Sequence, residues 1–92
     1  MSGYLGGDRP YTAGTFERGL TVVAIYAYDM DRGHCFHLDD ADGHRIVWFT
    51  RRKHPYKVGD SFRAQFMIRR HQEFNGQQEN VVKRFRVIST AR

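Results

Sequence analysis

The amino-acid sequence predicts an all-β fold in which five strands form one small barrel. Five segments of the chain alternate apolar and polar side chains with the period of a strand. No window of about 11 or more residues repeats its apolar side chains with the period of a helix. Five strands within 92 residues must curl, because a flat sheet of this size would leave one apolar face in water.

The first three predicted strands form a meander. The first covers residues 15–29, which are rich in β-branched and aromatic side chains, and Gly19 within it marks a bulge or bend. The second strand covers residues 34–40 and the third covers residues 44–50. Asp-Gly chemistry in residues 41–43 predicts a tight turn between these two strands.

A basic segment, residues 51–60, separates the meander from a final hairpin. This connection contains a proline, so it has room for a helix of about one turn only. The fourth strand covers residues 61–74 and the fifth covers residues 79–90. Between them Asn75-Gly76 predicts a two-residue type I′ turn, because both residues tolerate positive φ angles.

The Asn75-Gly76 turn also predicts an uninterrupted register for the final hairpin. A register slip of one residue would exchange its two faces, so the turn decides which side chains enter the core. The core face pairs Phe66 with Phe85, Ala64 with Val87, Ile68 with Lys83 and Phe62 with Ser89. The opposite face pairs Met67 with Arg84, Gln65 with Arg86, Arg69 with Val82, Arg63 with Ile88 and His71 with Asn80.

The second face of this hairpin collects positive charge. No acidic residue falls on it between positions 63 and 71 or between positions 82 and 86. Cations beside apolar platforms suit a strand of nucleic acid, whereas a stabilising protein surface normally mixes both signs. The alternative is an ordinary solvent-facing side of an antiparallel sheet. The cations are Arg63, Arg69, Arg84 and Arg86, and the platforms are Met67, Val82 and Ile88.

Charge and cysteine content narrow the function classes. Residues 1–50 carry a net charge of −3 and residues 51–92 carry +8, which favours a polyanionic partner. The single cysteine, Cys35, excludes an intramolecular disulfide, and the N-terminus lacks the apolar core of a signal peptide. No stretch approaches the ~18 apolar residues of a membrane span. We therefore expect a cytoplasmic protein with no membrane partner.

The sequence predicts two regions, an N-terminal tail and a barrel domain. Residues 1–13 are rich in glycine and polar residues without a period, so we expect a flexible N-terminal tail. Residues 14–92 form the barrel domain. Within the tail, packing against the barrel or contact with a partner is the alternative for Tyr4, Leu5 and Tyr11.

The strand order resembles the OB-fold, a superfamily rich in nucleic-acid-binding proteins. The segments LDDADGHRIVWF and VGDSFRAQFMI carry the resemblance, which covers roughly residues 15–90. The last hairpin is also similar to one in small phage- and plasmid-encoded proteins related to single-stranded DNA handling. The short basic third-to-fourth connection departs from the usual pattern, which holds a longer helix, so we expect the barrel bottom to be capped differently. The resemblance implies a five-stranded Greek-key barrel that binds nucleic acid.

Several aromatic residues are candidate base platforms. In OB-folds the second and third strands carry stacking residues, and here Trp48 and Phe49 point to opposite faces of the third strand. Either Trp48 lies in the core and Phe49 outside with Arg51, or the reverse holds. Phe74, beside the turn, either clamps a base or packs on its own turn. Phe36, Tyr26 and Tyr28 carry the same ambiguity as Trp48.

The basic run after the third strand supplies candidate phosphate contacts. It consists of Arg51, Arg52 and Lys53, and its alternative interpretation is a solvated loop. His34, Cys35, His37 and His44 lack the paired spacing of zinc ligands. Asp39, Asp40 and Asp42 favour turn chemistry over a cation site. The sequence therefore predicts no metal and no cofactor, and no set of acid, base and nucleophile indicates an enzyme.

These patterns predict a non-catalytic protein that binds single-stranded nucleic acid with low sequence specificity, DNA in preference to RNA. Replication or recombination of a phage or mobile element is the setting that the resemblance implies. The alternative is a protein-interaction module, a phage or mobile-element adaptor or inhibitor that docks on an acidic partner. An exposed edge, such as that of the first strand, would allow a homo-oligomer.

Overall fold

The computed structural model of the chain confirms an all-β fold: five strands form a closed barrel with the order β1-β2-β3-β5-β4. The structure describes Leu5, residues 14–30 and residues 32–90, except for the side chain of Thr90. Neighbouring strands are antiparallel except for β3 and β5, which run parallel. The strands are β1 (Phe16–Tyr28), β2 (Gly33–Asp40), β3 (Arg45–Thr50), β4 (Ser61–Phe74) and β5 (Gln77–Thr90).

The core fills the inside of the barrel. Alternate side chains on each strand point inward, as the alternation in the sequence predicts, and the inward parity changes at the irregularities of β1 and β5. On β4 this set is Phe62, Ala64, Phe66 and Ile68, all buried, so this part of the predicted core face is confirmed. The other strands contribute Leu20, Val22, Phe36, Leu38, Ile46 and Val82. Within the described residues no helix is long and apolar enough to cross a membrane.

Strand β1 closes the barrel by pairing on both sides. Residues 16–21 pair with β4, and residues 20–28 pair with β2. The strand changes partner near Val23, which is the extra residue of a bulge. The bulge predicted at Gly19 is therefore misplaced, because Gly19 pairs regularly with Arg63. Leu20 and Thr21 are the residues of β1 that pair with both neighbouring strands, and the homo-oligomer expected from a free edge of this strand stays a prediction.

The connection from β3 to β4 caps one end of the barrel without a helix. The His54 ring packs edge-on against Phe36 with centroids 4.4 Å apart, and the Tyr56 ring lies 4.7 Å from Phe62. The backbone of Val22 bonds to Gly59 and Asp60 and ties the connection to β1. Two rings thus cover the core end where the resemblance would place a helix.

The final hairpin keeps its predicted register in two stretches, one beside its turn and one at Gln65 and Ala64. Asn75 and Gly76 have φ angles of 51° and 77°, which suits the type I′ turn predicted for them. The pairs His71–Asn80, Gln65–Arg86 and Ala64–Val87 form as predicted. Irregularities between these pairs shift the others. The observed pairs are Ile68–Val82, Met67–Lys83, Arg63–Ser89 and Phe62–Thr90.

One of these irregularities places two β5 residues, Arg84 and Phe85, opposite Phe66. Arg84 has a φ angle of 52°, the left-handed conformation found in one type of bulge, where glycine is the usual residue. The rings of Phe66 and Phe85 still stack, with centroids 6.2 Å apart. Beyond the bulge Val82 is buried and Lys83 is exposed, so the predicted inward Lys83 and outward Val82 were wrong.

Leu5 is the described part of the predicted tail, residues 1–13, whose other members lie outside the described residues. Its side chain is buried in the barrel core. Its backbone N–H donates to Asn80 Oδ1 at 2.7 Å, and His71 Nε2 donates to its carbonyl at 3.0 Å. At this residue the packing alternative holds, because a buried amide partner satisfies the backbone.

Candidate functional site

The outer surface of β4 and β5 forms what we call the arginine face: Arg63, Arg69, Arg84 and Arg86, with Lys83 and Met67. All five cations are exposed and Met67 is half-buried. The bulge at Arg84 places Lys83 and Arg84 in succession between the inward Val82 and Phe85. The structure thus brings the four predicted arginines together and adds a fifth cation.

One acidic residue does share this face. Glu17 on β1 accepts a hydrogen bond from Arg63 Nε at 2.6 Å and one from Gln65 Nε2 at 3.1 Å. These bonds, that from Arg63 first, lower the pKa of Glu17. The hairpin segments 63–71 and 82–86 contain no acid, as the sequence states, and this acid comes from the neighbouring strand β1. Arg69, Arg84 and Arg86 have no ion pair within the described part of the chain.

A second feature, which we call the seam groove, opens between β3 and β5. The parallel pairing of these strands ends at Val47 and Val81, and beyond it the strands diverge. The resulting cavity of about 310 Å³ is edged by Arg52, Lys53 and Arg86. Because Arg86 belongs to both features, the groove continues the arginine face around the barrel.

The bottom of the seam groove is aromatic. The rings of Trp48 and Phe85 stack with centroids 4.1 Å apart and an interplanar angle of 17°, and Trp48 also contacts Phe36 at 4.8 Å. Trp48 therefore follows the inward alternative and packs against the core. It is only half-buried, and it also lines the groove.

The predicted basic run divides after its first residue. Arg51 Nη2 lies 2.7 Å from Asp29 Oδ2 at the β1–β2 loop and does not line the groove. Arg52 and Lys53 are exposed, and no described acid pairs with either. Of this run, two cations remain available to an anion at the groove.

Phe49 and Phe74 lie elsewhere, in what we call the β2–β3 cleft. This cavity of about 370 Å³ lies on the outer side of the sheet, beside the end of the β4–β5 hairpin. None of the described residues that line it is a lysine or arginine. The structure therefore separates these two predicted platforms from the predicted cations. The cleft is lined by Tyr26, Cys35, His37, Val47, Phe49, Gln72, Phe74 and Glu79.

Glu79 lies at the bottom of this cleft and is 2% exposed. Its Oε1 accepts a hydrogen bond from Gln72 Nε2 at 2.8 Å, and its Oε2 lies 3.8 Å from His37 Nδ1. Sequence reasoning missed this residue. Because Gln72 and Glu79 pair across the hairpin, the Asn75-Gly76 register could have placed them together.

A small apolar cluster supports the cleft from below. Cys35, Val47 and Val81 are buried there on the outer side of the sheet, with Tyr28 packed against them. Burial, with a smaller effect of Glu79, raises the pKa of Cys35 to about 11. Outward positions normally carry polar side chains, so apolar residues there were an available sequence signal for this surface.

Hydrogen bonds within the turn between β2 and β3 explain why acidic residues cluster there. Asp40 Oδ1 accepts hydrogen bonds from the backbone N–H groups of Asp42 and His44 at 3.0 and 2.8 Å, and Oδ2 lies 2.8 Å from His44 Nδ1. These three side chains are close enough to share a cation. The bonds nevertheless account for their positions as turn chemistry.

No protein-family model, no curated protein and no solved structure matches this chain. Its functional assignment therefore depends on three surfaces: the arginine face, the seam groove that continues it, and the separate β2–β3 cleft.

Proposed function

We propose that the chain binds single-stranded nucleic acid, DNA in preference to RNA and with low sequence specificity. The observation that carries the proposal is the seam groove, where a stacked aromatic pair lies between unpaired cations. The Trp48–Phe85 stack offers an apolar platform, while Arg52, Lys53 and Arg86 edge it. Single strands bind to such surfaces through their phosphates and the faces of their bases.

The arginine face extends this site along the backbone of the nucleic acid. Arg69, Arg84 and Lys83 are exposed and lie on the same side of the hairpin as Arg86. Guanidinium groups bond phosphate oxygens in a bidentate geometry and carry no base specificity. A strand bound here would be held mainly by charge, which is why we expect low sequence preference.

We include membership of the OB-fold superfamily in this proposal. The strand order and the closure of the barrel support it. The same proposal includes a cytoplasmic role in DNA replication or recombination of a phage or mobile element. An acidic protein surface is the competing partner, because it would meet the same cations.

Fluorescence titration tests the proposal directly. Trp48 is the chain's single tryptophan, so its emission reports on the seam groove. We expect oligo-dT to quench Trp48 at low salt, and affinity to fall about threefold per phosphate contact between about 50 and 200 mM salt. Parallel titrations with oligo-U and duplex DNA test the preference for single-stranded DNA.

Two outcomes would count against the proposal. Absence of binding to any oligonucleotide at low salt would favour the acidic protein partner. Binding that is seen by fluorescence polarisation of a labelled oligonucleotide but leaves Trp48 emission unchanged would move the site away from the groove.

A further inference from the structure

The β2–β3 cleft has the opposite electrostatic character from the arginine face. Glu79 is its one acidic lining residue, and none of its lining residues is a lysine or arginine. Two guanidinium groups contact the lining from outside. Arg45 bonds both carboxylate oxygens of Asp39 at 2.6 and 3.4 Å, so Asp39 compensates its charge, and the exposed Arg70 donates to Gln72 Oε1 at 3.3 Å.

Two titratable side chains beside Glu79, His37 and Cys35, are held towards their neutral forms. Arg45 Nη1 donates to His37 Nδ1 at 3.2 Å, and because a guanidinium only donates, that ring nitrogen carries no proton. Burial, and secondarily Arg45, lowers the pKa of His37, against the opposing effect of Glu79. Cys35 stays a thiol because its pKa is raised. Glu79 is therefore the acidic group among the described lining residues, and none of them is a lysine or arginine.

The walls of the cleft are aromatic and exposed. Phe74 is 59% exposed, Tyr26 56% and Phe49 43%. Large apolar side chains that share an exposed depression mark binding sites. Aromatic faces carry negative partial charge and attract cations. The attraction is largest when the bound cation is desolvated, which costs least for a weakly hydrated cation.

We propose that the β2–β3 cleft binds a methylated alkylammonium ion, with Tyr26, Phe49 and Phe74 around its methyl groups and Glu79 as its counter-ion. A quaternary ammonium suits this lining because it is weakly hydrated and presents methyl groups to aromatic rings. The buried carboxylate then gains a cationic partner, which stabilises a charge held away from water.

Charge decides between this guest and a nucleobase. A base that entered the cleft would bring its phosphodiester towards Glu79, and none of the described lining residues is a cation that would neutralise it. The cations of the arginine face and the seam groove lie outside this lining. The inference is thus independent of the proposed nucleic-acid function.

The test compares choline with 3,3-dimethylbutan-1-ol, its neutral isostere, in NMR titrations of the full chain at matched ionic strength. We expect choline to shift the resonances of Tyr26, Phe49 and Phe74 and to bind at least about tenfold more tightly than the alcohol, since cation–π and ionic attraction act on the cation alone. Equal affinities, or no shifts at these rings, would overturn the proposal.

Two variants locate the effect. Glu79→Gln keeps the size of the side chain and an acceptor for Gln72, and should abolish the preference for choline over the alcohol. Phe74→Ala removes an exposed ring at the hairpin end and should weaken choline binding severalfold. Val58→Ala is the matched control, because Val58 is 60% exposed and lies outside the cleft. If Glu79→Gln fails to fold, Phe74→Ala against Val58→Ala decides the question.

Methylated ammonium groups occur both on small free molecules and on the side chains of peptides. A peptide with one trimethyllysine, compared with the same peptide carrying neutral norleucine, separates these sources. Tighter binding of the peptide than of choline would identify a protein side chain as the guest, and equal binding would identify a free ammonium. Oligo-dT that shifts the rings of Tyr26, Phe49 and Phe74, where choline does not, would replace the cation by a nucleobase and overturn the proposal.

Discussion

The seam groove and the β2–β3 cleft are cavities of similar size, about 310 and 370 Å³, on one small barrel. Both are lined by aromatic rings. They differ in the charge that accompanies those rings: Arg52, Lys53 and Arg86 edge the groove, whereas Glu79 lies in the cleft. If both proposals hold, aromatic rings alone do not identify a nucleic-acid site, and the sign of the charge beside them distinguishes the two expected classes of ligand.

Truncation of one ring from each cavity should give the largest contrast. Trp48 supports the core and the groove together, so Trp48→Ala should lower the free energy of unfolding by about 3 kcal/mol and remove oligo-dT binding. Phe74→Ala should leave both almost unchanged, because that ring is exposed. Urea unfolding and fluorescence polarisation measure the two quantities. Equal destabilisation by the two variants would refute the contrast.

Reversal of one charge comes second. Arg86 connects the groove with the arginine face, so Arg86→Glu should weaken oligo-dT binding by about tenfold or more at low salt, since a phosphate contact becomes a repulsion. Arg32→Glu makes the same change of net charge in the β1–β2 loop and is the control. If both variants weaken binding alike, long-range charge and not the groove determines affinity.

A smaller difference is expected within the arginine face. Glu17 already pairs with Arg63 at 2.6 Å, whereas Arg84 has no ion pair within the described residues. Arg84→Gln should therefore reduce affinity about threefold, the effect of one phosphate contact on the salt-dependent term, and Arg63→Gln should reduce it less. The reverse order, in polarisation titrations of both variants, would show that Arg63 leaves Glu17 to meet the ligand.

The smallest expected effect is the pH dependence of the free energy of unfolding. One histidine at each cavity should contribute to it. Burial lowers the pKa of His54 at the groove, with a further effect of His34, and burial also lowers that of His37 in the cleft. The unfolded chain thus binds protons first as pH falls below about 6.5. The contribution of these two histidines to the free energy of unfolding should be fully present above that pH. It should decline as the pH falls towards their folded-state pKa values.

Urea midpoints at pH about 7.5 and 5.5 measure this decline. His54→Phe and His37→Gln should each make it shallower, and the double variant should make it shallower still. An unchanged slope in the double variant would assign the pH dependence to other groups.

Local patterns in the sequence were sufficient for the strands. The predicted bounds of β4 match the structure, the last residues of β2, β3 and β5 match as well, and the remaining strand ends differ by one or two residues. Asn75-Gly76 was readable because positive φ angles restrict which residues occupy such a turn. The inward position of Trp48 remained open because a strand has two faces and one aromatic residue stood on each.

What the sequence could not show depends on contacts between distant segments. The bulge at Arg84 has no glycine to mark it, so the predicted register failed there. Glu17 joins the arginine face only because β1 and β4 pair across the barrel closure. Phe74 and Phe49 come together in the cleft through the parallel β3–β5 pairing, which joins residues far apart in sequence.

The parallel β3–β5 seam has a consequence for folding kinetics. Only Arg45, Ile46 and Val47 pair across it, and contacts between such distant segments form late because their loop-closure entropy must first be offset. A seam this short is where the barrel opens most readily by local unfolding. A ligand in the seam groove would contact both strands. Its binding would slow the opening of the barrel and lengthen the lifetime of the closed form.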